Sequence, residues 1–220
     1  MKLVHVSDTH SLFPKLPEGD VIVHTGDLCP NATRGKREIE VPFQAGWVRG
    51  NITRFKEWIG ARPFLFVQGN HDFTPNVCDI LVENGIDAHD ISNKKLTVGG
   101  LTYYGFPFVP YIAGEWNWEV HGDQMQREIR RLRDILEENP VDILCCHAPI
   151  YGILDMYYTH CGNLHMADLF NYGLAREKWP KVYLHGHIHE ANGETTLDEM
   201  RISNAATTVH LIPIGEEQEG

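Results

Sequence analysis

The sequence has no apolar run near the ~18–20 residues that a membrane-spanning helix requires, so no membrane segment is expected. Its opening, Met1-Lys2-Leu3-Val4-His5-Val6-Ser7-Asp8, lacks the unbroken apolar stretch of a secretory leader, because His5 and Asp8 interrupt it. Cysteine is sparse. Cys29, Cys78, Cys145, Cys146 and Cys161 are odd in number and form no C-x-x-C pair. That pattern argues against a disulfide framework or a closed thiolate zinc site, and for reduced thiols in a cytoplasmic setting. Positive charge is short too. Nineteen Lys and Arg face thirty Asp and Glu, a formal −11, so no stable nucleic-acid partner is expected. A short or cyclic nucleotide held by local cations stays compatible with this balance. No repeat, low-complexity tract or heptad pattern divides the chain or sets an oligomeric state. Residues 1–220 are read as a single domain, long enough for a full core.

Histidine is the residue in excess, thirteen of 220. It is the commonest metal ligand and titrates near neutral pH, so its placement carries information. Short β-branched and aromatic runs alternate with helical patterns. Strands are expected at about Lys2–Ser7, Asp20–Thr25, Phe64–Gln68, Leu101–Gly105, Asp142–Cys146, Lys181–His185, Met200–Asn204 and Val209–Pro213. Phe64–Val67 and Ile143–Cys146 are apolar throughout, as in strands buried on both faces. Helices are expected at about Asp123–Glu138, where Met125, Ile129, Leu132 and Leu136 share a face, at Thr53–Ile59 and at Leu164–Arg176. Leu28–Arg49 reads as a long, solvated, charged loop. The alternation predicts an α/β layered fold, with ligands gathering beyond the carboxyl ends of its strands.

Five of those strand ends carry one kind of chemistry. Asp8-Thr9-His10 follows the first strand, Gly26-Asp27 the second and Gly69-Asn70-His71-Asp72 the third. His147-Ala148-Pro149 follows Cys146, and Gly186-His187-Ile188-His189 follows His185. All five converge on one sheet edge, and glycine lets three of them turn sharply. Two aspartates, one asparagine and four histidines mix oxygen with imidazole donors. Such a set suits Mn, Fe, Zn, Ni or Co better than Ca or Mg. It is too large for one tetrahedral ion; two ions sharing a carboxylate use it naturally.

The ordered signature D-x-H, G-D, G-N-H-D, H-x-P and G-H-x-H, across residues 8–189, resembles that of the calcineurin-like metallophosphoesterases. The stretches Val6–His10, Tyr104–Pro107, Gly152–Asp155 and His187–Glu190 are most similar to the branch of metallophosphoesterase-domain (MPPED-type) proteins. The resemblance implies a four-layer α/β/β/α sandwich. It implies that Asp8, His10 and His189 hold one metal, that Asn70, His147 and His187 hold a second, and that Asp27 bridges them. Two divalent transition-metal ions are implied, Mn²⁺ foremost. So is hydrolysis of phosphodiesters, cyclic nucleotides (2′,3′ or 3′,5′) first among them, by attack of a metal-bridging hydroxide. His71 assists the leaving oxygen and Asp72 orients it. Some members of the branch lack a histidine of the last block; His187 and His189 are both present here.

Outside the signature, His160, Cys161 and Asn163 are expected to line a nucleoside pocket, and Arg34 to steer an anionic substrate. Trp116 and Trp118 flank Asn117 as core, lid or a stacking surface for a base. His5, His24, His89, His121 and His210 match no motif and are expected to be structural or superficial. Rival readings share the fold. A phosphomonoesterase or protein phosphatase needs extra cations to clamp a dianionic phosphate, and no arginine outside residues 34–37 offers this. A compact nuclease conflicts with the net charge. A non-catalytic scaffold would tolerate loss of ligands, and none is lost.

Overall fold

The computed structural model describes residues 1–215; residues 216–220 of the expected 1–220 unit lie outside the described residues. All eight expected strands form, two with the expected bounds and six shortened or extended by one or two residues. In chain order the strands are β1 (Lys2–Val6), β2 (Val21–His24), β3 (Phe64–Phe66), β4 (Ala88–Asp90), β5 (Lys95–Val98), β6 (Leu101–Phe106), β7 (Val109–Pro110), β8 (Glu119–Val120), β9 (Ile143–Cys146), β10 (Val182–His185), β11 (Gly193–Leu197), β12 (Met200–Asn204) and β13 (Val209–Pro213). The helices are α1 (Arg37–Gly50), α2 (Ile52–Ile59), α3 (Val77–Glu83), α4 (Gly122–Glu138) and α5 (Leu164–Asp168).

One sheet has the order β13-β1-β2-β3-β4, parallel except for β13. The other has the order β11-β12-β10-β9-β6-β5, with a parallel centre and antiparallel outer pairs. Side chains alternate across each strand, which divides the core into three apolar interfaces. Val4, Ile22, Phe64 and Phe66 meet Val48, Phe55, Ile59 and Leu81 of α1–α3. Leu3, Val23, Leu65 and Val67 meet Ile143, Cys145, Val182 and Leu184 of the second sheet. The far face of that sheet, with Leu144, Cys146 and Tyr183, meets Met125, Ile129, Leu132 and Leu136 of α4 and Met166 of α5. Three interfaces make four layers, the α/β/β/α sandwich that the resemblance implies.

The stretch read as the loop Leu28–Arg49 is corrected. Its second half is α1, whose buried residues are Glu40, Gln44, Ala45 and Val48. Two of those four are polar, and Pro42 lies inside the helix, so no apolar stripe marks it in the sequence. The helix expected over Leu164–Arg176 also differs: α5 stops at Asp168, and a π-helical turn, Leu169–Gly173, continues it. The helix α3 and the short strands β4, β5, β7, β8 and β11 are additions to the expected elements. Among the described residues no helix is long and apolar enough to cross a membrane.

Leu184 is fully buried between the sheets at the centre of β10. Leu184→Ala is expected to cost about 2–5 kcal/mol, the transfer term plus a cavity. Urea unfolding measures it, and a loss below about 1 kcal/mol would show that this interface is not close-packed.

Candidate metal centre

The carboxyl ends of β1, β2, β3, β9 and β10 meet at the junction of the two sheets, and each hands its cluster to that point. The first two loops zip together: Asp8 N donates to Gly26 O, His10 N to Asp27 O and Ser11 N to Leu28 O, each at 2.9 Å. Such tight turning puts non-glycine residues in the left-handed region, with φ of 53° at Asp8, 42° at His10, 57° at Asp27 and 71° at His187. Strain of this kind costs of order 1–3 kcal/mol per residue and concentrates at functional sites. The glycines make room for the site's own side chains rather than for a ligand alone. A Cβ on Gly186 would run into Ser7 Oγ and Asp8 Oδ2, and one on Gly69 into Asp27 Oδ1.

Donor atoms of Asp8, His10 and His189 lie within 4.8 Å of one another, as do those of Asp8, Asp27 and His147 and those of His10, Asp27 and His71. Asp27 Oδ2 is 3.4 Å from His147 Nε2 and 3.9 Å from His10 Nε2. Asn70 Oδ1 is 2.9 Å from His147 Nε2, and the His187 ring is 5.0 Å from that of His147. All seven residues of the expected donor set therefore come together. The orientation of His147 suits a cation. His147 Nδ1 lies 2.7 Å from Thr25 O, which only accepts, so Nδ1 carries the proton and Nε2 faces Asp27. Burial opposes charge on His147, yet the Asp27 and Asp8 carboxylates push it up to about 9. Asp27 is likewise held well below the carboxylate range: burial raises it, and His147, His71 and His10 overcome that. The field at this point favours positive charge among oxygen and imidazole donors, which fits divalent transition metals.

His71 sits at the rim, its Nε2 3.9 Å from Asp27 Oδ2 and its backbone N–H on Asp27 Oδ1 at 2.7 Å. The expectation that Asp72 orients it is corrected. Asp72 is fully buried and accepts four backbone N–H groups, from Asp27, Leu28, Cys29 and Gly69, at 2.7–3.0 Å. It pins the Asp27 turn instead. Burial and the Asp27 charge push Asp72 up, to about 7, against those donors. The partner of the His71 ring is Asn31, with Nδ1 to Oδ1 at 2.6 Å. Trp116 covers the ring at a centroid distance of 4.1 Å. Trp118 instead packs on Phe108 and donates to Gln68. The sequence held no signal for Asn31 beyond its place four residues after Asp27.

The other expected residues are bonded to groups outside the cluster. Arg34 pairs with Glu115 at 3.2 Å, and Arg37 donates to Asn117 Oδ1 at 3.1 Å. Asn163 is buried and caps α5, accepting from Met166 N at 3.2 Å and donating to Met125 Sδ, so its side chain is committed to that cap. His160 bonds buried Asp155 at 2.6 Å, which also gathers the N–H groups of Gly152 and Gly162. The Cys161 thiol bonds Thr159 O. This loop abuts the last histidine block through Asn204, whose Nδ2 contacts the carbonyls of Leu154, Ile188 and Ala191. Of the histidines without a motif, His5 bonds Ser203 and Thr25, and His24 bonds Thr9 and Gly26 N, both buried beneath the centre.

The family model described as calcineurin-like phosphoesterase matches residues 1–191. The chain belongs to the calcineurin-like phosphoesterase family. Members are metal-dependent phosphoester hydrolases that use a dinuclear divalent centre. The chain is 27% identical to metallophosphoesterase domain-containing protein 1 of Homo sapiens, over 97% of this chain and 68% of that protein. The Mus musculus protein of that name matches equally. A Staphylococcus saprophyticus protein named as one of the subunits of the nuclease SbcCD is 27% identical over 63% of this chain and 38% of that protein.

A phosphoesterase with this field should bind metal in competition with protons. His147, at about 9, is protonated at pH 7, so an ion taking its Nε2 must displace that proton. Affinity then rises from pH 6 towards 9, and calorimetry in buffers of different ionisation enthalpy should show about one proton released per chain at pH 7. Binding without proton release would contradict this.

Proposed function

We propose that this phosphoesterase is a phosphodiesterase acting on small substrates, cyclic nucleotides (2′,3′ or 3′,5′) foremost. The observation that carries the reading is the complete donor set gathered around Asp27 with His71 at its rim. In this reading Asp8, His10 and His189 hold one ion and Asn70, His147 and His187 the other, with Asp27 between them. Mn²⁺ is the first assignment for these oxygen and imidazole donors. When bound, such a pair of ions polarises the phosphoryl group and provides a water nucleophile that is active near neutral pH. The chain does the rest. Protonated on both ring nitrogens, His71 presents Nε2–H towards the centre and hands that proton to the leaving oxygen, returning to the neutral ring, for about 10²–10⁴-fold in rate. Asn70, a neutral donor, limits negative charge where an anionic substrate must enter. Trp116, beside His71, walls the side on which the leaving group departs.

Three features support a small diester. A diester is a monoanion and needs fewer cations than a monoester, and Arg34 and Arg37 are engaged by Glu115 and Asn117 rather than by the cluster. The net charge of −11 disfavours long nucleic acid and leaves small nucleotides. Similarity to a protein named as part of a nuclease points towards phosphodiester chemistry. Four of five cysteines are buried and all are free, in keeping with a cytoplasmic setting.

The test is turnover with added Mn²⁺ of bis-p-nitrophenyl phosphate, p-nitrophenyl phosphate and 2′,3′- and 3′,5′-cyclic nucleotides. Diester and cyclic-nucleotide hydrolysis should exceed monoester hydrolysis. Asp27→Ala should abolish it, and His71→Ala should slow poor leaving groups by about 10²–10⁴. Turnover of the monoester alone would replace this reading with a phosphatase. Full diester turnover by His71→Ala on alkyl leaving groups would remove the proton-donor role.

A further inference from the structure

A short contact that the metal centre does not explain lies at the back of the His71 ring. Asn31 meets His71 twice. Its Oδ1 lies 2.6 Å from His71 Nδ1, and its Nδ2 donates to the His71 backbone carbonyl at 3.1 Å. The second bond decides the first. A carbonyl oxygen only accepts, so the NH₂ of the Asn31 amide must face it. The amide oxygen is then the atom that faces the imidazole, and His71 Nδ1 must be the donor. With Nδ1–H committed to Asn31, Nε2 is left as the nitrogen that takes up and gives the transferable proton at the centre, where it lies 3.9 Å from Asp27 Oδ2.

Asn31 is itself fixed by parts of the chain outside the signature. Gln44 of α1 donates from one amide to Pro30 O at 3.2 Å and to His71 O at 2.7 Å, so it ties the two loops together. Its Oε1 accepts the N–H groups of Phe73 and Thr74. Glu40, one turn earlier, accepts from Ala32 N, Thr33 N and Thr33 Oγ1. On the open face of the ring, Trp116 is held in place by Asn117, which bonds Asn70 O and Asp72 O. A buried Gln44 and Glu40 on a helix face have no purpose in an apolar core; here their hydrogen bonds go to the loops on either side of Asn31 and His71.

We propose that Asn31 is the positioning residue of His71, fixing the Nδ1–H tautomer and the direction of Nε2. The proposal rests on the reading of His71 as the proton donor to the leaving group. Asp72 cannot fill this part, because its two oxygens are taken by the four N–H groups of the Asp27 turn. A neutral amide does what the resemblance assigned to a carboxylate: it sets the ring without adding a negative charge next to an anionic substrate.

The test has two independent readouts. The first uses metal-free protein labelled with ¹⁵N-histidine, in which the His71 signal is identified by its loss in His71→Gln. Neutral His71 should show a protonated Nδ1 and a bare Nε2, and Asn31→Ala should turn this into a mixture of tautomers. The second is leaving-group dependence with Mn²⁺. Asn31→Ala should lower kcat for diesters with alkyl leaving groups about 10–100-fold, a fraction of a general acid's full effect. Diesters with a p-nitrophenyl leaving group, which depart without a proton, should change less than about threefold, and KM should hold. Asn31→Asp keeps the acceptor and should restore alkyl turnover most of the way. A wild-type Nε2–H tautomer would overturn the proposal. So would equal losses on both leaving groups, or an Asn31→Asp variant as slow as Asn31→Ala. A protein that hydrolyses no diester with any metal would sink the phosphodiesterase reading, while the tautomer measurement would still decide the role of Asn31.

Discussion

Two carboxylates, Asp8 and Asp27, are almost fully buried with donor atoms within 4.8 Å of each other, and their charge must be compensated in place. An isolated pair of this kind would be prohibitive in a protein interior, and one of its members would take up a proton. Here the opposite holds. Asp27 is kept well below the usual range by histidines, and His147 is lifted to about 9 by the carboxylates. The surroundings are arranged to keep negative charge on the aspartates and to welcome positive charge between them. That demand explains features that make little sense as packing. Non-glycine residues sit at positive φ, glycines yield their Cβ space to carboxylate oxygens, and Asp72 collects four N–H groups to hold the Asp27 turn shut.

The sandwich is what lets so much charge be gathered. The first sheet delivers Asp8, Asp27 and Asn70, and the second delivers His147, His187 and His189. Neither sheet holds a complete set. The interface between the sheets, with Leu65, Val67, Ile143 and Leu184, therefore sets the spacing of the donors as well as contributing to stability. Around this frame, α1 and the loop before it reach the rim of the site through polar contacts. Their inward groups bond to the turns on either side of His71, the rim histidine that is not part of the donor set.

Much of this was legible in the sequence because the information is local. A strand end followed by Gly-Asp or Gly-His-Ile-His states both where the chain turns and which atoms it presents. Apolar runs such as Phe64–Val67 state that a strand is buried on both sides. What stayed hidden depends on partners distant in sequence. The helix α1 has no apolar stripe, because Glu40 and Gln44 face inward to bond loops at 30–33 and 71–74. The choice between Asp72 and Asn31 as the partner of His71 could not be made from spacing: Asp72 is adjacent in sequence but turned towards backbone amides, whereas Asn31 is forty residues away and in contact. Asn163 offered the same ambiguity, a polar residue beside His160 and Cys161 whose side chain is in fact a helix cap.

The central claim is that Asp27 is shared between two ion sites built by the two sheets. Metal analysis of purified protein, combined with anomalous scattering from crystals grown with Mn²⁺, addresses it directly. The account predicts two ions per chain on opposite sides of the Asp27 carboxylate, and at most one in Asp27→Asn with the fold intact. A single ion in the wild-type protein, or two ions bound as tightly after the substitution, would contradict it.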